Sequence, residues 1–317
     1  MPEEKAMYEG IKGMMGNLPP IVAENIPAMR DMSKQFGGKT PEQLEDYKLV
    51  DTEIVTIDGT KYGTDNQSLA IRVHKVKGVE DKNRAAIVYF HGGAVITLDA
   101  ELAEAVAVRI AIDGDVTVFN VDFRNGPEAR APKNYMDCYA ATKWVIENAQ
   151  KYNIDAKKIS IHGESGGGYL ATGVAMQLAK NNEGHLVKCV FPDVPMIYAG
   201  WLTKPSEEMN ECAAWCKDNH LMGVKLICED WEKQFASKDP DVFPAEMSED
   251  LLAKLPPHVV MTREFDMFYH DAVYYADRLK KHGKLLELYV QPGTCHYNFH
   301  GKPLLADRKK IWQRYCH

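Results

Sequence analysis

Two kinds of hydrophobic pattern divide the chain. Apolar and polar residues alternate in Val50-Asp-Thr-Glu-Ile-Val-Thr-Ile57 and again in Leu69-Ala-Ile-Arg-Val-His-Lys-Val76. A two-residue period gives a strand one core face and one solvent face, so both segments are expected as antiparallel edge strands. The next runs, Ala85-Ala-Ile-Val-Tyr-Phe90 and Val116-Thr-Val-Phe-Asn-Val121, are almost continuously apolar. Strands of that kind are covered on both faces, as in a parallel sheet. Helical stretches alternate with them: Ala100 to Ile112, Tyr135 to Tyr152 with its Cys138/Thr142/Val145 stripe, and Gly166 to Lys180. Val187–Phe191, His258–Thr262 and Leu285–Val290 read as later strands. A helix from Asp271 to His282 separates the last two, and another from Pro303 to Tyr315 closes the chain. This β-α alternation predicts an α/β fold with a mostly parallel central sheet flanked by helices.

Two regions fall outside the rhythm. The first fifty residues carry paired apolar and Met positions, with Pro19-Pro20 and Pro27 as breaks, and read as two or three short helices. Residues 198–249 are rich in Trp, Met, Cys and charge, without a clear strand, and read as a helical insertion. Together these pieces are placed to form a lid over a site at the C-terminal ends of the strands. The expected organisation is a helical cap segment over 1–50, core over 51–197, a helical cap insertion over 198–249, and core again over 250–317.

The sharpest local signal is Ile159-Ser-Ile-His-Gly163-Glu-Ser165-Gly-Gly-Gly168, where a β-branched run passes through Gly-x-Ser-x-Gly into a helical run. A strand-to-helix turn this sharp holds its central residue in a strained conformation with the side chain at the apex. Gly163 and Gly167 leave room for neighbouring backbone, and the helix from Gly166 directs unpaired N–H groups at whatever Ser165 attacks. A serine hydroxyl becomes a useful nucleophile only when a base takes its proton and a carboxylate orients that base. Asp266 and His296 follow two consecutive expected strands, in the order serine, acid, histidine that such sheets use. Glu264 is the fallback acid, and Asp271 sits where a helix N-cap is expected. His270 and His300 are decoy bases, read as surface positions flanking helices. Oxyanion donors are expected from His91-Gly92-Gly93-Ala94, at the end of a buried strand, and from the Gly166 N–H.

In this combination the chain resembles the hormone-sensitive-lipase family of α/β-hydrolases, the microbial family IV type of carboxylesterase. The motifs that carry the resemblance are His91-Gly-Gly-Ala94, Val121-Asp-Phe-Arg-Asn-Gly-Pro-Glu128, Gly163-Glu-Ser-Gly-Gly-Gly168, Glu264-Phe-Asp266 and Cys295-His296, in order over about residues 85–300. The resemblance implies Ser165 as nucleophile, His296 as general base and acid, and Asp266 as its orienter. It places the oxyanion donors on the backbone of Gly93, Ala94 and Gly166, with Gly92 shaping the turn, and implies a cap that sets specificity. Several departures stand out, among them Met267-Phe268 in place of the family's usual Pro-Leu after Asp266. Ala94 replaces the family's usual third glycine and narrows the permitted backbone angles; Gly166 replaces alanine; Glu164 replaces the more frequent aspartate. The segment Phe123–Glu128 also differs from the common pattern and reads as structural.

Composition trims the alternatives. A net charge of −7 argues against nucleic acid as a partner. No window approaches the apolar length of a membrane span, and the charged N-terminus lacks a secretory pattern. Seven cysteines form no zinc pattern, since only Cys212 and Cys216 are close, and read as free thiols in a reducing, cytoplasmic setting. The expected reaction needs no metal or organic cofactor: a serine esterase acting on small, short-acyl esters. An amidase, lactonase or deacetylase could use the same triad. A binding protein on a hydrolase scaffold is the other rival, which the presence of His296 disfavours. Oligomeric state stays open, a homodimer being common among such families.

Overall fold

A computed structural model describes residues 9, 13, 20–36, 38–79, 83–200, 223–296 and 302–317. Eight strands form one sheet: β1 (Val50–Ile57), β2 (Leu69–Val76), β3 (Arg84–Phe90), β4 (Thr117–Asp122), β5 (Ile154–Glu164), β6 (Val190–Asp193), β7 (His258–Arg263) and β8 (Leu285–Gln291). Their spatial order is β1-β2-β4-β3-β5-β6-β7-β8. The β1–β2 and β2–β4 pairs are antiparallel and all others parallel. The helices are α1 (Ile26–Phe36), α2 (Pro41–Lys48), α3 (Glu104–Gly114), α4 (Lys133–Glu147), α5 (Gly166–Lys180), α6 (Trp231–Ala236), α7 (Glu249–Leu252), α8 (Tyr269–Lys281) and α9 (Lys302–Tyr315).

Strand β3 explains the layering. Its side chains alternate, so Ala86, Val88 and Phe90 join one core with α4, α5 and α8, while Ala85, Ile87 and Tyr89 join the other with α3 and α9. Every residue of β3 is buried, as a strand covered on both faces requires. The Cys138/Thr142/Val145 stripe of α4 is likewise fully buried.

Several boundaries differ from the sequence reading. Leu69–Val76 is not an edge strand; it lies between β1 and β4, and of the two alternating strands β1 alone is at the sheet's edge. Alternation reports which face of a strand is wet, not which strand lies beside it. The strand expected over 187–191 runs instead from Val190 to Asp193. Pro192 and Asp193 fall within the strand, and two arginines meet the buried Asp193 carboxylate there. The helix expected over 135–152 ends at Glu147 and gives way to a 3-10 turn, Ala149–Tyr152. Pro27 does not break a helix. It is the second residue of α1, where its missing N–H costs nothing. Pro41 opens α2 behind a Thr40/Gln43 capping box.

The topology sets where chemistry can gather. Phe90 pairs with Gly163, so the chain leaving β3 as His91-Gly92-Gly93-Ala94 emerges beside the chain leaving β5 as Glu164-Ser165. Arg263 pairs with Gln291, so the loops carrying Asp266 and His296 leave neighbouring strand ends at the same edge of the sheet. The segment between β6 and β7 opens at these ends too. Its described parts, 194–200 and 223–257, contain α6, α7 and a 3-10 turn, Pro244–Glu246, with Trp231, Phe235 and Phe243 packed together. Trp201, Trp215, Cys212, Cys216 and His300 lie outside the described residues.

Candidate active site

Ser165 sits between β5 and α5 with φ 57° and ψ −117°, a conformation that an L-residue adopts only under constraint. The flanking glycines are required. A Cβ on Gly163 would fall onto the Gly167 carbonyl, and one on Gly167 onto the Phe90 carbonyl. The Ser165 N–H donates to the Asp193 carbonyl at 2.8 Å, which pins the elbow to β6.

His296 lies within hydrogen-bond reach of both partners. Its Nε2 is 2.9 Å from Ser165 Oγ, and its Nδ1 is 2.9 and 3.1 Å from the two Asp266 carboxylate oxygens. With the proton on Nδ1, the imidazole donates to the carboxylate and accepts from the serine hydroxyl. This is the tautomer a serine-activating base needs. All three groups are more than nine-tenths buried. Asp266 Oδ1 also accepts the Phe268 N–H at 2.7 Å, and the Phe268 ring stands edge-on to His296 at 5.3 Å.

The other acids have different duties. Glu264 turns away, and its Oε2 accepts the Gly293 N–H at 2.8 Å. Asp271 is not an N-cap: Phe268 holds that position, and Asp271 is buried in the first turn of α8. Its Oδ2 accepts the N–H groups of Ile197 and Tyr198, at 2.7 and 2.9 Å, at the start of the β6–β7 segment. Burial raises its pKa well above the usual carboxylate range. His270 is a half-buried residue of α8, with its ring edge-on to Tyr269.

The turn after β3 packs directly on the elbow. Gly93, Ala94 and Val95 all have positive φ, at 101°, 56° and 59°. A Cβ on Gly166 would meet Val95 N at 2.7 Å and Ala94 Cα at 2.9 Å, so the Ala94–Val95 backbone lies against the first residue of α5. Gly92 faces the serine itself, its Cβ direction ending 3.8 Å from Ser165 Cβ. His91 is buried and stacked on Phe123 at 4.3 Å, its Nδ1–H donating to Gly92 O, and burial holds its pKa below the usual histidine value. These residues bring together one serine hydroxyl, one imidazole oriented by a carboxylate, and a turn of small residues.

Beneath the elbow lies a charged cluster with no sequence signal. Glu164 accepts from Tyr89 Oη at 2.9 Å and from Arg308 at 3.3 Å. Arg308 also bonds Asp193, which Arg263 reaches from the other side at 3.0 Å. Burial works against the Asp193 charge, but the two arginines outweigh it and hold its pKa well below the ordinary carboxylate range. The groups are 115 and 144 residues apart along the chain, beyond any local pattern.

Comparison with known proteins agrees with this architecture. A family model described as alpha/beta hydrolase fold matches residues 87–300. An arylesterase of Saccharolobus solfataricus is 30% identical over 77% of this chain and 76% of its own length. An ethyl acetate hydrolase of Pseudomonas putida is 27% identical over 67% of this chain and 65% of its own. A thermostable esterase from Pseudomonas putida has a similar structure, with TM-score 0.81 at 19% identity, covering 100% of this chain and 98% of that one. The chain belongs to the α/β-hydrolase family, among the hormone-sensitive-lipase-like (family IV) carboxylesterases.

Proposed function

We propose that the chain is a serine carboxylesterase that works through an acyl-enzyme on Ser165 and takes small, short-acyl esters. The observation that carries this reading is the hydrogen-bonded series Ser165–His296–Asp266, buried at the strand ends beside a glycine-rich turn. Ser165 Oγ attacks the ester carbonyl while His296 Nε2 takes its proton, and Asp266 stabilises the imidazolium that forms. The oxyanion of the tetrahedral intermediate accepts N–H groups from Gly93, Ala94 and Gly166, with Gly92 shaping the turn. His296 then protonates the leaving alcohol. In the second half it activates a water, which releases the acid and restores Ser165.

Residues 1–50 and 198–249 form the cap in this reading, over a core of 51–197 and 250–317. Asp271 supports that assignment, since it ties the start of the insertion to α8, the helix that follows the Asp266 loop. The ethyl acetate hydrolase among the relatives supports a short acyl group. A series of p-nitrophenyl esters of graded chain length, run beside matched anilides, tests the proposal. The expected result is highest kcat/KM on the acetate or butyrate ester and little turnover of the anilides. Preference for a long acyl chain or for the anilide would replace the proposed substrate class.

A further inference from the structure

The turn that carries the proposed oxyanion donors is held in an unfavourable shape. Ala94 and Val95 both have positive φ, and for the β-branched Val95 this region is a costly outlier. Such a conformation persists only where its surroundings over-determine it. Part of that surrounding comes from α1, more than sixty residues upstream. Arg30 donates from Nε to Ile96 O at 2.7 Å and from Nη2 to Gly126 O at 2.8 Å. The Gly126 N–H donates in turn to Val95 O at 2.8 Å, and Asn125 Nδ2 to Leu98 O at 2.6 Å. Glu128 accepts both terminal nitrogens of Arg30 at 2.8 Å, which fixes the plane of the guanidinium. Four of the five N–H donors of Arg30 are therefore engaged.

We infer that Arg30 is a positioning residue, which couples helix α1 to the oxyanion turn by bridging Ile96 O and Gly126 O. It touches no reacting atom. It acts through the carbonyl of Ile96, the residue after Val95, and that of Gly126, whose N–H holds the Val95 carbonyl, and so fixes where the N–H groups of residues 93–95 point. The segment 123–128, read from sequence as structural, is the other jaw of this clamp. A lysine keeps the charge but presents one nitrogen and cannot meet two carbonyls and a carboxylate in a single plane. The inference rests on the acyl-enzyme reading of Ser165, because only a developing oxyanion gives the orientation of these N–H groups a kinetic value.

The test compares wild type with Arg30→Ala, Arg30→Lys and Glu128→Gln on p-nitrophenyl acetate. Each is also assayed for Tm and for inhibition by a trifluoromethyl ketone, which forms a tetrahedral oxyanion adduct on the serine. Arg30→Ala is expected to lower kcat roughly ten- to hundredfold with KM nearly unchanged, and to weaken the ketone by a similar factor. Guanidinium ion at low concentration restores part of the kcat of Arg30→Ala, whereas the lysine variant does not recover it. Glu128→Gln gives a smaller loss of the same kind and serves if Arg30→Ala fails to fold. The inference is overturned if the folded variants keep wild-type kcat, or if kcat falls with Tm while ketone affinity holds. If wild type itself resists the ketone and Ser165→Ala still turns over ester, the acyl-enzyme reading has failed instead.

Discussion

Replacing Gly166 with alanine probes how closely the turn after β3 is fitted to the Ser165 elbow. The added Cβ would stand 2.7 Å from Val95 N, 2.9 Å from Ala94 Cα and 3.0 Å from Ala94 C. All three are backbone atoms, so no side-chain rotation can relieve the contact. Reaching an ordinary separation of about 3.5 Å requires the two backbones to part by about 0.8 Å at the closest point. A displacement on the order of 1 Å at a reacting centre costs about a hundredfold in rate, and loss of one oxyanion donor costs about 10²–10³ in kcat. We therefore expect Gly166→Ala to lower kcat about 30- to 100-fold, with KM changed by less than about threefold because the planar ester makes less use of these donors. Overpacking costs about 1–3 kcal/mol, and the better helix propensity of alanine offsets up to about 1 kcal/mol, so the variant should fold. Steady-state kinetics on p-nitrophenyl acetate with a parallel thermal melt decide the matter. A well-folded variant with kcat within about twofold of wild type would refute the fit described between Gly166 and the turn.

Two further outcomes concern the buried charges. Arg308→Met leaves Glu164 with Tyr89 alone and Asp193 with one of its two arginines, and should cost about 3–5 kcal/mol in urea unfolding, as for a broken buried pair; a loss below about 1 kcal/mol would contradict it. His258 is fully satisfied as a neutral ring, donating from Nδ1 to Pro256 O and accepting at Nε2 from the Tyr275 hydroxyl, and burial lowers its pKa to about 4. Because its folded pKa lies below the unfolded value near 6.5, its contribution is intact above about pH 6.5 and is lost as pH falls toward 4, by about 3 kcal/mol in all. Stability measured by urea from pH 7.5 to 4.5 should therefore fall less steeply in His258→Gln, by about one proton's worth, or about 1.4 kcal/mol per pH unit, and an unchanged slope would refute the assignment.

What the sequence disclosed and what it withheld follow from the range of each interaction. The elbow at Ser165 is local: its glycines are needed because Phe90 and Gly167 pass within contact, and a five-residue motif records that. Asp266 and His296 were legible because each follows a strand whose apolar run is its own signal, and the fold sets the two strands side by side. Asp271 was misread as a cap, since an acid near a helix start looks the same whether it caps that helix or reaches across to Ile197 and Tyr198. The clusters around Arg30 and Arg308 were invisible, because they join residues 66 to 144 positions apart with no repeating pattern. Two family departures, Ala94 and Gly166, are far apart in the sequence. The structure puts them in contact, with the methyl group gained at one position and given up at the other.

The central claim is that Ser165 carries the acyl group and that His296 activates it. The most direct measurement is peptide-level mass spectrometry after reaction with a fluorophosphonate, beside ester turnover by Ser165→Ala and His296→Ala. The expected result is a single adduct on Ser165, its loss in Ser165→Ala, and turnover reduced by about 10⁴-fold or more in both variants. Undiminished turnover by Ser165→Ala, or an adduct on another residue, would contradict it.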